Sequence, residues 1–126
     1  MTKLSRKDRK RKRQYARLRG RVAEMMAALL LRLKGYRILE RGFRRPVGEV
    51  DIIARKGSVL VAVEVKQRPD LEAALGAIHA KQRRRISRAM EAYITSHAGC
   101  EGLDIRFDIL LVTSFLRWPV HLENAW

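Results

Sequence analysis

Two neighbouring apolar stretches carry charges that a buried β-strand would not ordinarily accept. Val50-Asp51-Ile52-Ile53-Ala54 holds one acid, and Val59-Leu60-Val61-Ala62-Val63-Glu64-Val65-Lys66 holds an acid and a base two residues apart. An unpartnered buried charge is costly enough that such residues need a reason. Strand side chains alternate faces, so Glu64 and Lys66 point the same way. With Gly57-Ser58 as a two-residue hairpin turn, Asp51 falls opposite Glu64 and Glu49 opposite Lys66. Facing carboxylates repel, and a hard divalent cation removes that penalty. Mg²⁺ takes one or two carboxylates, keeps several waters and completes its shell with phosphate oxygens. A lysine beside it could orient or deprotonate an attacking water, or offset charge on a pentacoordinate phosphoryl transition state. The chemistry these residues suit is metal-dependent cleavage of a phosphodiester, with Asp51, Glu64 and Lys66 as candidate catalytic residues.

Glu24 adds a fourth point, being the only polar residue between Val22 and Leu31. It is either a structural acid with a buried donor or a group that reaches the sheet and completes the metal's surroundings. Glu49 is open in the same way, as an outer acid or as an ion-pair partner for Lys66. A plainer explanation covers the whole cluster: Glu and Lys are common on sheet edges facing water, and Asp followed by Glu-x-Lys occurs in many unrelated chains. His79 and His97 read as ordinary helix residues and Cys100 as incidental, while Asp108 falls on the polar face of its strand.

The elements that must position these groups follow from periodicity. Val22, Met25, Met26, Leu29, Leu30 and Leu33 recur at spacings of three and four, predicting a helix that begins near Tyr15 and stops at Gly35. Strands are expected over about 36–44, 49–55 and 59–66, the last ended by Pro69. A loop with Gly76 leads to a second helix from Ile78 to His97, its core face made of Ile86, Ala89, Met90, Tyr93 and Ile94. A last strand runs from Ile105 to Val112, and Arg117 to Trp126 reads as irregular tail. The order α-β-β-β-α-β predicts an α/β fold, a mixed central sheet flanked by helices.

The charge is lopsided: 28 Lys and Arg against 13 acids, a net +15. Such an excess points to a polyanion, nucleic acid first, with RNA or anionic lipid as lesser choices. Hydrophobic residues make up 47%, which requires a folded core. Eleven Lys or Arg lie within residues 3–21, so residues 1–14 are expected to form a disordered basic arm and 15–126 a single domain. Lys81, Arg83, Arg84, Arg85 and Arg88 offer either a solvated helix face or a phosphate-binding ridge, with Gln82 near enough to touch the scissile strand. One cysteine, Cys100, allows no internal disulfide and suits a reducing cytoplasm. The apolar run around Glu24 is too short for a membrane span, and no cleavable leader follows the basic start, so no membrane partner is expected.

Joined together, these segments are familiar. Gly35-Tyr36-Arg37-Ile38-Leu39, Gly48-Glu49-Val50-Asp51-Ile52-Ile53-Ala54, Val63-Glu64-Val65-Lys66-x-Arg68, Lys81-Gln82-Arg83-Arg84 and Arg106-Phe107-Asp108 resemble the YraN family over roughly residues 19–126. These are small bacterial proteins usually described as candidate endonucleases, and they resemble in turn the PD-(D/E)xK nucleases, particularly archaeal Holliday-junction resolvases. The resemblance implies a restriction-endonuclease-like core and Mg²⁺ or Mn²⁺ as cofactor. It also implies branched or structured DNA, bound without sequence preference, as substrate. Asp51 would be the first metal aspartate, Glu64 the second acid, Lys66 the motif lysine and Glu24 the first-helix glutamate at the metal. The superfamily's proline is replaced by Val50. Arg68, Lys81, Gln82, Arg83 and Arg84 would lie along the DNA, and the resolvases' symmetric dimers make a homodimer an expectation with no interface residues to support it. The competing expectation is a non-catalytic nucleic-acid-binding protein that keeps the nuclease fold.

Overall fold

A computed structural model describes residues 3–126; the first two residues of the expected arm lie outside the described residues. Along the chain the elements are α1 (Arg6–Leu33), β1 (Arg37–Arg45), β2 (Gly48–Lys56), β3 (Val59–Gln67), α2 (Leu71–Gly76), α3 (Ala80–Ser96), β4 (Asp104–Val112) and β5 (Val120–Leu122). The strands form one sheet in the order β1-β2-β3-β4-β5. Only β3 and β4 pair in parallel; the remaining neighbours are antiparallel. A parallel pair needs a crossover, and α2 and α3 supply it. The expected α-β-β-β-α-β core is present, with α2 and β5 added.

The two sides of the sheet are covered separately. Ile52, Ala54, Val61, Val63 and Leu110 pack against Ala27, Ala28 and Leu31 of α1. Phe43, Val50, Ile53, Leu60 and Ala62 pack against Ile86, Ala89, Met90 and Tyr93 of α3, the helix face expected from the sequence. Gly48 is required by this second layer: a Cβ there would lie 1.8 Å from the Arg85 carbonyl oxygen, so α3 passes directly over the backbone of β2.

Three sequence expectations need correction. α1 starts at Arg6 rather than near Tyr15, so the described part of the arm from Arg6 onward is helical. The Ser5 side chain caps the Asp8 N–H at 3.1 Å, Asp8 sits in the positively polarised first turn, and Arg and Lys are good helix formers. The buried face of α1 is Ala23, Ala27, Ala28 and Leu31, while Met25, Leu29 and Leu33 of the expected face are exposed. Small alanines let the helix approach the sheet closely, and Ala27, Ala28 and Leu31 follow Glu24 at helical spacing, so the same face brings Glu24 inward. The tail is ordered as well: β5 pairs with β4, the Ala125 N–H donates to the Phe107 carbonyl at 2.7 Å, and the Trp126 ring stacks on Phe107. No helix among the described residues is long and apolar enough to cross a membrane.

Candidate metal centre

The hairpin that carries the acids turns at Gly57-Ser58 as the sequence suggests, with Gly57 at φ 60°. Its ladder runs from Lys56–Val59 to Ile52–Val63. Beyond that pair the strands part, and Asp51 enters the gap, its Oδ2 accepting the Val65 N–H at 2.9 Å. Gly42, at φ 66°, stands across from Asp51, between the Arg41–Ile52 and Phe43–Val50 pairs. Val50 packs toward α3 and Ile52 toward α1, although strict alternation would set both on one side. The strand pair is kinked at this level, and the kink aims Asp51 into the seam.

Glu64 reaches the same seam from β3 and is only 7% exposed. Its carboxyl is pushed up to about 9, first by burial, then by the charge of Asp51 and a hydrogen bond shared with it. Glu49 pushes the same way; Lys66, with Nζ 3.8 Å from Glu64 Oε1, pulls against them without prevailing. Glu24 is raised too, by burial and then by Asp51, with Arg41 and Arg44 opposing. Asp51 is therefore the shared neighbour of Glu64 and Glu24. No three His, Cys, Asp or Glu side chains gather closely enough among the described residues to hold a metal by themselves. The structure brings together Asp51, Glu64 and Lys66 and keeps Glu24 a step further out. Two carboxylates are the hard oxygen donors that suit Mg²⁺ or Mn²⁺, whose shells are rarely all protein.

The other predicted residues are dispersed. Glu49 is exposed and pairs with Arg44 at 3.6 Å, while Lys66 pairs with Glu64. Arg68, Lys81, Arg84 and Arg88 are exposed; Gln82, Arg83 and Arg85 are half-buried along α3. The Arg83 guanidinium stands 5.7 Å from the Trp126 ring centroid. His97 stacks on Tyr93 with ring centroids 3.9 Å apart, His79 is exposed at the start of α3, and Cys100 is buried.

Asp108 turns out to be the centre of a second buried polar cluster. It accepts two hydrogen bonds from Arg106 at 2.8 Å, one from His121 Nε2 at 2.7 Å and one from the Asn124 N–H at 3.0 Å. Arg106 also donates to the Tyr36 hydroxyl, and Lys34 contacts His121 Nδ1. His121 escaped sequence reasoning because its partner is reached only through β5. The available signal was Arg106-x-Asp108, an ion pair on one strand face.

A mixed sheet between helices, with two acids and a lysine gathered where adjacent strands part, makes this an α/β protein with a restriction-endonuclease-like core. The family described as "Uncharacterised protein family UPF0102" matches residues 23–112. A UPF0102 protein of Methylobacterium nodulans is 48% identical over 116 residues, spanning 92% of this chain and 89% of that protein. One from Parvibaculum lavamentivorans is 44% identical over 107 residues, 85% of this chain and 80% of its own. Another from a Chelativorans species is 43% identical over 114 residues, with 90% and 91% covered. The chain belongs to the UPF0102 family, the YraN-like family its motifs resemble.

Proposed function

We propose that this protein is a divalent-metal-dependent endonuclease that nicks branched or otherwise structured DNA without reading its sequence. The observation that carries the reading is the pairing of buried Glu64 with half-buried Asp51, two acids held together with a single lysine beside them. Mg²⁺ or Mn²⁺ bound there would supply charge neutralisation, a more acidic water and polarisation of a phosphoryl oxygen. Asp51 and Glu64 would hold it and Glu24 would support the site through Asp51. Lys66 lies where its ammonium could orient the attacking water or stabilise charge on the transition state. Exposed Arg68, Lys81, Arg84 and Arg88, with Gln82 and Arg83 beside them and the basic rows of α1, would bind phosphates and so set position rather than sequence. A single buried Cys100 agrees with a reducing cytoplasm.

The test is an assay of purified protein on junction, flap, gapped and linear DNA with Mg²⁺, Mn²⁺ or EDTA. Asp51→Asn and Lys66→Ala should each abolish metal-dependent nicking and leave DNA binding in place. Nicking that persists in either variant refutes the assignment; metal-independent binding with no nicking by the wild type favours the non-catalytic alternative.

A further inference from the structure

The parallel pair β3–β4 ends beside the candidate centre, with Lys66 opposite Leu111 and Gln67 opposite Val112. The loop that follows β4 turns at Ser114–Arg117, where the Arg117 N–H donates to the Ser114 carbonyl and the Ser114 hydroxyl accepts the Leu116 N–H. This turn holds Phe115 at the edge of a groove of about 330 Å³, which Arg68 lines on the β3 side and Arg19 on the α1 side. No acid among the described residues lines that groove. The Arg19 guanidinium lies 5.1 Å from the Phe115 ring centroid and 5.8 Å from that of Tyr15, one helical turn earlier. Phe115 is 38% and Tyr15 61% exposed, so both rings keep surface available beyond their contact with Arg19.

We propose that Tyr15, Arg19 and Phe115 form a stacking site for an unpaired DNA base, with Arg68 taking the adjoining phosphate. The chemistry is that of single-strand recognition: aromatic faces and guanidinium planes stack on any base, and basic side chains track the backbone. A duplex offers its phosphates but keeps its bases stacked, so the site selects strands with unpaired nucleotides. A second copy of this chain is the other occupant such a surface could take, since Leu116 and Trp118 continue it as exposed apolar residues. Charge argues against that occupant, because a two-fold contact would bring Arg19, Arg68 and Arg117 of one copy toward those of the other. The inference rests on the nucleic-acid reading above and names which form of the substrate the site prefers.

The experiment is fluorescence anisotropy in EDTA, comparing an oligothymidylate strand with a blunt duplex of equal length at matched salt. Phe115→Ala should weaken strand binding by about ten-fold and duplex binding by less than about two-fold, the size expected for loss of one stacked base. Phe115→Trp should retain strand binding, and Arg19→Lys, which keeps the charge and loses the plane, should behave as Phe115→Ala does. Equal losses on both ligands, or none, overturn the stacking site. So does a Phe115→Ala variant that changes sedimentation from dimer to monomer while its strand preference is untouched. EDTA removes the metal, so cleavage failing while strand preference follows Phe115 indicts only the catalytic reading. DNA binding that is intact but indifferent to Phe115 indicts only the stacking site.

Discussion

Glu64 on β3 and Asp108 on β4 are buried carboxylates on adjacent parallel strands, and they differ in what surrounds them. For Asp108, 0% exposed, burial works against the charged form, yet His121, Arg106 and the Asn124 N–H outweigh it and hold the carboxyl below the ordinary range. Glu64 has one ammonium at 3.8 Å and an acid beside it, and burial carries it far upward. The difference lies in partners and not in depth. A buried acid with its hydrogen bonds filled ties elements together, here β4 to β5 and, through Arg106 and Tyr36, to the start of β1. A buried acid short of cations is a strained arrangement that an added ion would relieve, and strained groups of that kind concentrate at functional sites.

The largest effect should come from breaking the satisfied cluster. Asp108→Ala would leave Arg106 and His121 without their acceptor and should cost about 3–5 kcal/mol in urea or thermal unfolding. A loss below about 1 kcal/mol would mean the cluster holds nothing together, and the contrast with Glu64 would lapse.

The next effect concerns pH. The folded chain keeps a proton on Glu64 that the unfolded chain releases above about 4.5, so the stability tied to this group declines as pH rises toward about 9. In EDTA the wild type should lose stability steadily between those limits, and Glu64→Gln should flatten the curve. Parallel curves for the two proteins would mean that Glu64 is not strained. The smallest effect sharpens the comparison from the ligand side. Mn²⁺ at a few times its Kd should raise wild-type stability at pH 8 by roughly 1 kcal/mol, and should leave Asp51→Asn unmoved. Asp108→Asn, if it folds, should respond to Mn²⁺ as the wild type does.

Much of the fold was legible because it depends on local patterns. Alternation located the strands and Gly57-Ser58 set their turn, while the spacing of Ile86, Ala89, Met90 and Tyr93 found the buried face of α3. Apolar periodicity misled at α1. Met25, Leu29 and Leu33 make the more hydrophobic stripe, but the alanine face fits closer to the sheet, and packing distance decided which stripe is buried. The tail was illegible for a related reason: a three-residue strand has too little pattern of its own and exists because β4 offers it an edge.

The chain by itself determined that an acid from one strand and an acid and lysine from the next lie near one another, because hairpin register is set by a turn and a period of two. It also fixed the net charge of +15 on which the proposed polyanionic partner rests. Tertiary structure decided which acids are strained and which are satisfied. Glu64 is strained because burial and Asp51 press on it with Lys66 as the one opposing cation, and Asp108 is satisfied because β5 brings His121 and Asn124 to it. Both results depend on contacts between residues far apart in sequence, where the dielectric and the partners of a charge are set by the assembled fold rather than by neighbours along the chain.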